Sequence, residues 1–400
     1  MTDSGIWRTA ARDRRAAATA ARARGRRVPV VQVLHEEAAT ARQRQADPPP
    51  RPPHPDGQLE LFPVDGHRVV AADDDAGAAE AVAAELTSAS ASESVKSAAS
   101  FALGGIAAGN PTAYLPFIFQ RVGSDAKLNY LLLQALREVI MCQAGVQGST
   151  PTSAAAATGE VDEATPALSE GDVQAAIDLL LSMSESEEEG VRNVVAECLG
   201  KLALLSPAVA VPVIAANAAS DKVALRYAAA SAARYVFVDR PTQADEALAA
   251  AAPTLLGLLG DDDRHVRRAA ALALSSAAHN KPALVHGLLP SLLPVLYAQT
   301  AIREDMVRMV DLGPFKHKID DGLELRKASF ECLDTLLASP SLAPLLEPAP
   351  LLQALVSALD DAYEIKVFAH ITLERLTSTR PADVAAALPA LCAPLAKTFA

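Results

Sequence analysis

Residues able to do chemistry are present in this chain, but not in arrangements that perform it. Two triple-aspartate runs, at 73–75 and 261–263, are its densest carboxylate clusters. The first lacks the spaced oxygen ligands and closing glutamate of a calcium loop. The second precedes a basic, Ala-rich stretch and reads as the acidic start of a helix, where carboxylates favour the positive end of the dipole. His265, His279, His286, His317 and His370 show none of the paired spacing, with a glutamate between, that a zinc hydrolase requires. His279, in "AAHNKP", suits a helix end. Cys142, Cys198, Cys332 and Cys392 form no Cys-x-x-Cys pair. That spacing argues against a zinc site or a disulfide framework, and for free thiols in a reducing compartment. Neither a Gly-rich phosphate loop nor a nucleophile elbow occurs. The chain is therefore read as a non-enzyme that calls for no metal and no cofactor.

One short stretch does stand out: "DLGPFKHKIDDG" at 311–322. Its glycines, its proline and its apolar/polar alternation suit a strand better than a helix. They predict a β-hairpin over 306–320, with Val310 and Leu312 in a first arm at 307–312. The turn falls at Gly313 and Pro314, and Phe315 to Ile319 form the second arm. Phe315 and Ile319 share one face, Lys316 and Lys318 the other; His317 is either a contact or simply exposed. These nine residues are the candidate partner-binding site. A two-stranded hairpin is marginal in water, so it should move until a partner or the body of the protein supports it. The competing reading is a folded-back loop whose Phe315 only plugs a junction.

The elements that must carry this tongue are helical. Half of the 400 residues are hydrophobic but only 4% are aromatic, and the single tryptophan is Trp7. Small side chains let helices approach closely, so the chain should be all-α. A recurring pattern begins at Val95, Leu128, Val191, Leu225, Val266, Leu325 and Ile365. Each of these anchors has residues of the same helical face at +4 and +8. Six are followed by a base (Lys96, Arg192, Arg226, Arg267, Arg326, Lys366), and six are preceded at three or four positions by an acid (Asp125, Glu188, Asp221, Asp263, Asp321, Asp361). In stacked repeats the base can reach the acid of a neighbouring unit. The pattern is that of HEAT repeats, each anchor helix having a partner helix before it. Those partners are expected at 112–122, 171–183, 208–219, 254–260, 288–297 and 351–359. The architecture is then a right-handed HEAT-repeat α-solenoid over 76–400 with one inserted β-hairpin. A polar insertion at 145–171 and an Arg/Ala/Pro-rich leader at 1–75 are expected to be disordered.

Charge narrows the partners. The formal net charge is −12, yet residues 1–51 hold eleven arginines against five acids, leaving the rest strongly acidic. An acidic folded part is a poor binder of phosphate backbones, so proteins rather than nucleic acids are the expected partners. Asp3 and Asp13 weaken a reading of the leader as a targeting segment. No run of eighteen apolar residues suggests a membrane span.

"SVKSAASFALG", "KLNYLLLQALREVI", "GVRNVVAECLGKLALL", "HVRRAAALALSSAAHNKPAL" and "MVDLGPFKHKIDDGLELRKASFECLDTLL" together resemble the carboxy-terminal repeats of the cullin-associated, neddylation-dissociated family, from about Ser94 to Ala400. The resemblance implies a regulator that binds a cullin lacking its ubiquitin-like modifier, together with its RING subunit. It also implies competition with substrate-receptor adaptors at the cullin's amino-terminal region, so that receptors exchange. A hairpin projecting from the repeats would overlap the adaptor's site, and the setting would be cytoplasm and nucleus. A general HEAT-repeat scaffold of the transport or phosphatase type is the alternative. The family's long amino-terminal solenoid has no counterpart here, and 381–400 reads as the first helix of a further repeat. A separate chain supplying the missing repeats is therefore a possible partner.

Overall fold

A computed structural model describes residues 76–148, 167–312 and 315–399. The expected leader, most of the 145–171 insertion and the turn residues Gly313 and Pro314 lie outside them. Met1–Ala99 and Ser100–Ala400 form two compact units. The described part of the first holds α1 (Ala76–Thr87) and the start of α2 (Glu93–Gly109).

The second unit is a succession of helix pairs. Its shorter helices are α3 (Pro111–Phe119), α5 (Glu170–Ser182), α7 (Pro207–Ala218) and α9 (Asp245–Gly257). Each is followed by a longer one: α4 (Ala126–Gly148), α6 (Glu189–Leu205), α8 (Val223–Val236) and α10 (Arg264–Asn280). Further on come the one-turn α11 (Pro282–His286), α12 (Leu289–Ala298), α13 (Leu323–Ala338), α14 (Pro348–Ala358), α15 (Tyr363–Thr379) and α16 (Pro381–Phe399). The longer helices α4, α6, α8, α10, α13 and α15 pack side by side in chain order, and α3, α5, α7 and α9 make a second row. α12, α14 and α16 continue that row. This is the all-α solenoid of stacked repeats that the anchor pattern predicts.

The anchor pattern explains the core. The +4 and +8 residues are buried in all seven repeats, for example Ala270 and Leu274 after Val266. Val191, Val266, Leu325 and Ile365 are buried themselves, while Val95, Leu128 and Leu225 are half-buried. Helix starts are marked chemically. Pro111, Pro207, Pro282 and Pro348 open their helices, where the missing N–H costs nothing. Ser169 and Asp172 form a reciprocal capping box on α5.

Two boundaries differ from the sequence reading. Helix α4 runs on to Gly148, into the stretch read as insertion. Two glycines add only about 1 kcal/mol each to a helix already nucleated. Helix α9 begins at Asp245 rather than 254, and its expected end at 258–260 is a 3-10 turn. "DEALAAAA" has too little contrast between its faces to show a stripe, yet alanine is the strongest helix former. The hairpin interrupts the α12–α13 connection as an antiparallel pair, β1 (Val307–Leu312) and β2 (Phe315–Asp320).

Candidate protein-contact site

Repeat-to-repeat geometry positions the hairpin. Arg192, Arg226 and Arg267 occupy the same place in α6, α8 and α10, and each turns its Nη1 back on the turn that enters its helix. Arg192 donates to the carbonyls of Ser186 (2.7 Å) and Glu187 (2.8 Å). Arg226 donates to Ser220 (2.9 Å) and Asp221 (3.1 Å), and Arg267 to Asp261 (2.7 Å) and Asp262 (3.0 Å). Two arginines also clasp the next repeat. Arg226 grips Asp261 through Nε (2.6 Å) and Nη2 (3.1 Å), and Arg326 grips Asp361 through Nε (2.8 Å) and Nη2 (2.9 Å). In both cases the carboxylate lies 35 residues further along the chain. Such forked pairing fixes angle as well as distance.

The expected bond from base to neighbouring acid is thus present at Arg226 and Arg326, two of the six bases, with one change of residue. Asp361 is the acid the pattern names. Within 261–263 the partner is Asp261, while Asp263 caps α10 by accepting from the N–H groups of His265 and Val266. The aspartate run is therefore a joint and a cap, as its place at a helix start suggested. Among the described residues, no three His, Cys, Asp or Glu side chains form a group that could hold a metal ion. No described helix is long and apolar enough to cross a membrane.

At the base of the hairpin Arg326 does double duty. Besides Asp361 it binds Asp320, the last residue of β2, through Nη1 (3.2 Å) and Nη2 (2.7 Å). Its hydrogen bonds hold the Asp320 carboxyl below the usual carboxylate range. The next residue, Asp321, receives Arg308 from β1 (3.0 Å) and Arg264 from α10 (3.1 Å), which likewise depress its pKa. Its N–H bonds the Met306 carbonyl, closing the base of the hairpin (3.0 Å). The hairpin is thus fastened at its root to α10 and α13, so the marginal stability of an isolated two-stranded ribbon does not describe it fully.

Register settles which residues share a face. Val310 lies opposite His317, Leu312 opposite Phe315, and Arg308 opposite Ile319. On the other face Asp311 pairs with Lys316, and Met309 with Lys318. Phe315 and Ile319 therefore lie on one face with Val310, Leu312 and His317, and the two lysines lie on the other. Asp311 across from Lys316 is a favourable opposite-charge pair. Lys316 and Lys318 are exposed, and Val310 and Ile319 are half-buried. Gly313 and Pro314 lie outside the described residues. Sequence reasoning missed Met309, 59% exposed beside Lys318, and Arg308, which ties the arm to its base. The first arm, "VRMVDL", places Met309 and Val310 side by side and so breaks the alternation, which left no pattern to mark either residue.

Comparison with known proteins bears on this surface. Residues 284–400 match the family described as TATA-binding protein interacting (TIP20). Over 307 residues, 77% of this chain, the sequence is 45% identical to Cullin-associated NEDD8-dissociated protein 1 of Arabidopsis thaliana, covering 24% of that protein. It is 38% identical over 307 residues to Cullin-associated NEDD8-dissociated protein 2 of Mus musculus, covering 23% of it. It is also 33% identical over 302 residues to a protein of Emericella nidulans named Cullin-associated NEDD8-dissociated protein 1, C-terminal part, covering 27% of it. The chain thus spans about a quarter of the length of these relatives. Among solved structures, Kap121p is similar with a TM-score of 0.48 at 14% identity, over 74% of this chain and 29% of Kap121p.

Proposed function

The repeats belong with the carboxy-terminal part of the cullin-associated NEDD8-dissociated proteins, and on that premise we propose that this chain is a non-catalytic regulator of cullin–RING ubiquitin ligase assembly. It binds a cullin that lacks its ubiquitin-like modifier, with its RING subunit, in cytoplasm and nucleus. The hairpin occupies ground at the cullin's amino-terminal region that a substrate-receptor adaptor also needs, so that one receptor leaves and another enters. The observation that carries this reading is the hairpin itself. It is fastened at its root by Arg326, Arg308 and Arg264, with Met309, Lys316 and Lys318 exposed along it. A wedge of this kind needs a fixed base and a free edge, and a plain helical scaffold has no use for it.

The test is capture of a purified cullin–RING complex, unmodified or carrying its modifier, by wild-type protein and by Lys316→Glu/Lys318→Glu. Retention of the unmodified complex alone, weakened by the double substitution, supports the reading. Adding a receptor–adaptor complex should then release the protein. Equal capture by both proteins would make the chain a general helical-repeat adaptor instead.

A further inference from the structure

The clasp between consecutive repeats is missing at Arg192 and at Arg267, and of the two only Arg267, where the chain leaves α12 for the hairpin, has a fully buried side-chain nitrogen without a partner. Arg267 keeps the first half of the arrangement, bonded to the Asp261 and Asp262 carbonyls, and is only 5% exposed. Its Nε is buried without a hydrogen-bond partner. In Arg226 and Arg326 that nitrogen takes a carboxylate from the residue 35 positions on. At the same interval from Arg267 stands Ile302, 50% exposed. The fold agrees with the count. Asp261 follows the end of α9 at Gly257 by the same interval as Ile302 follows the end of α12 at Ala298. The carboxylate that re-enters after the hairpin, Asp320, is taken by Arg326. An apolar residue therefore stands at the acid's interval, and the Nε of a buried guanidinium is left without a hydrogen-bond partner, which is a costly state.

The surroundings carry both signs. Burial lowers the Arg267 pKa and the charge of Arg303 lowers it further, while Asp263, Asp261 and Asp262 raise it. Arg303 is held by Asp305 (3.1 and 2.7 Å), and that pair is largely exposed. Arg264, Arg268 and Arg308 stand about the same base, bonded to Asp321 and Glu324. Lys316 and Lys318 extend the positive charge along the hairpin, on a chain whose net charge is −12.

We propose that the open clasp at Arg267 and Arg303 receives an acidic side chain of the protein that the hairpin engages. The partner's Asp or Glu takes the place that Asp261 and Asp361 fill in the closed clasps. It enters along the loop before β1, where Ile302 and Arg303 are about half exposed. The inference rests on the reading of the hairpin as a contact element, and adds the chemistry of what it contacts.

Two substitutions test it. Ile302→Asp supplies the missing carboxylate within the chain, and Arg303→Gln removes the outer cation. The probes are a purified unmodified cullin–RING complex and a fluorescent octaglutamate peptide, each titrated against salt. Ile302→Asp should melt about 2 °C higher yet bind the cullin complex roughly 10-fold more weakly. Arg303→Gln should weaken binding and flatten its salt dependence. Wild-type affinity in either folded variant overturns the proposal; if Ile302→Asp does not fold, Arg303→Gln decides alone. If wild-type protein ignores the cullin complex, the functional reading fails and the peptide judges the site. Peptide binding that the substitutions abolish upholds it, and no peptide binding rejects it.

Discussion

Replacing Arg326 by methionine tests the clasp at the root of the hairpin. The guanidinium is 2% exposed and holds Asp361, itself 4% exposed, together with the more open Asp320. Methionine keeps much of the apolar stem but leaves the Asp361 carboxylate with the Ala362 N–H as its remaining donor. Removing one partner of a buried ion pair costs about 3–5 kcal/mol, because the other charge stays uncompensated. Asp320 can turn to water and adds little, so the loss should be about 3–4 kcal/mol. At about 2–4 °C per kcal/mol, the melting midpoint falls by roughly 6–16 °C. Repeat arrays sum nearest-neighbour interactions rather than melting in one step, so the decisive reading is local hydrogen exchange. Protection should fall in β2 and in the turn before α15, while α5 to α8 keep theirs. Arg326→Met/Asp361→Asn should recover part of the loss, the stranded charge being gone. A single variant within about 0.5 kcal/mol of wild type, with unchanged exchange across 320–366, would refute the reasoning.

Further outcomes follow from other contacts. Gly200 and Gly104 hold the same place in two repeats; a Cβ on Gly200 would stand 2.6 Å from Tyr235 Cβ, and one on Gly104 2.5 Å from Glu138 Cβ. Gly200→Ala should therefore cost about 1–3 kcal/mol in urea unfolding, while Gly257→Ala, with open space around it, should cost nothing. Acid should destabilise the protein. Hydrogen bonds from Arg326 depress the Asp320 pKa; at Asp261 burial raises it, but Arg226 and the Asp263 N–H outweigh that. A carboxyl depressed on folding stabilises above its unfolded pKa of about 3.9 and loses that contribution as pH falls through the folded value. Melting temperatures should thus hold above pH ~5 and drop below pH ~4; a midpoint unchanged down to pH ~2 would contradict this. Iodoacetamide should modify Cys392, which is exposed, and spare Cys198 and Cys332, whose pKa values burial pushes up; Cys142 is pushed up to about 11 and should react slowly. Mass mapping of the labelled native protein decides it.

Much of the scaffold was legible because it repeats. A branched apolar residue followed by a residue of the same face at +4, most often alanine, and another at +8, most often leucine, announces one buried stripe, and seven such stripes announce a stack. The hairpin was legible for the opposite reason, since "FKHKI" breaks the helical period with a period of two. What stayed hidden depends on contacts between units. Nothing in "DDD" says that Asp261 clasps Arg226 while Asp263 caps α10, because the choice is made by the angle at which the neighbouring repeat arrives. Nor does the sequence alone show that Arg326 takes both Asp320 and Asp361, leaving Arg267 unmatched. The start of α9 was hidden by alanine, which forms helix well but marks no face. The contact surface itself is read by shape and charge spread over several residues, which no short pattern spells out.

The clasp at Arg326 also decides which parts of the tongue are free to vary. An insertion between repeats normally leaves its neighbours alone, since loop length costs little. Here the residue at which the insertion rejoins the stack, Asp320, shares one guanidinium with the repeat beyond. Lengthening or shortening the tongue at that end would shift Asp320 off Arg326 and loosen the hold on Asp361 as well. Farther out along the tongue, Met309 and Lys316 are exposed. The tongue is thus built like a replaceable bit in a fixed chuck: its tip can be rewritten for a different contact surface while the two residues at its shank stay fixed.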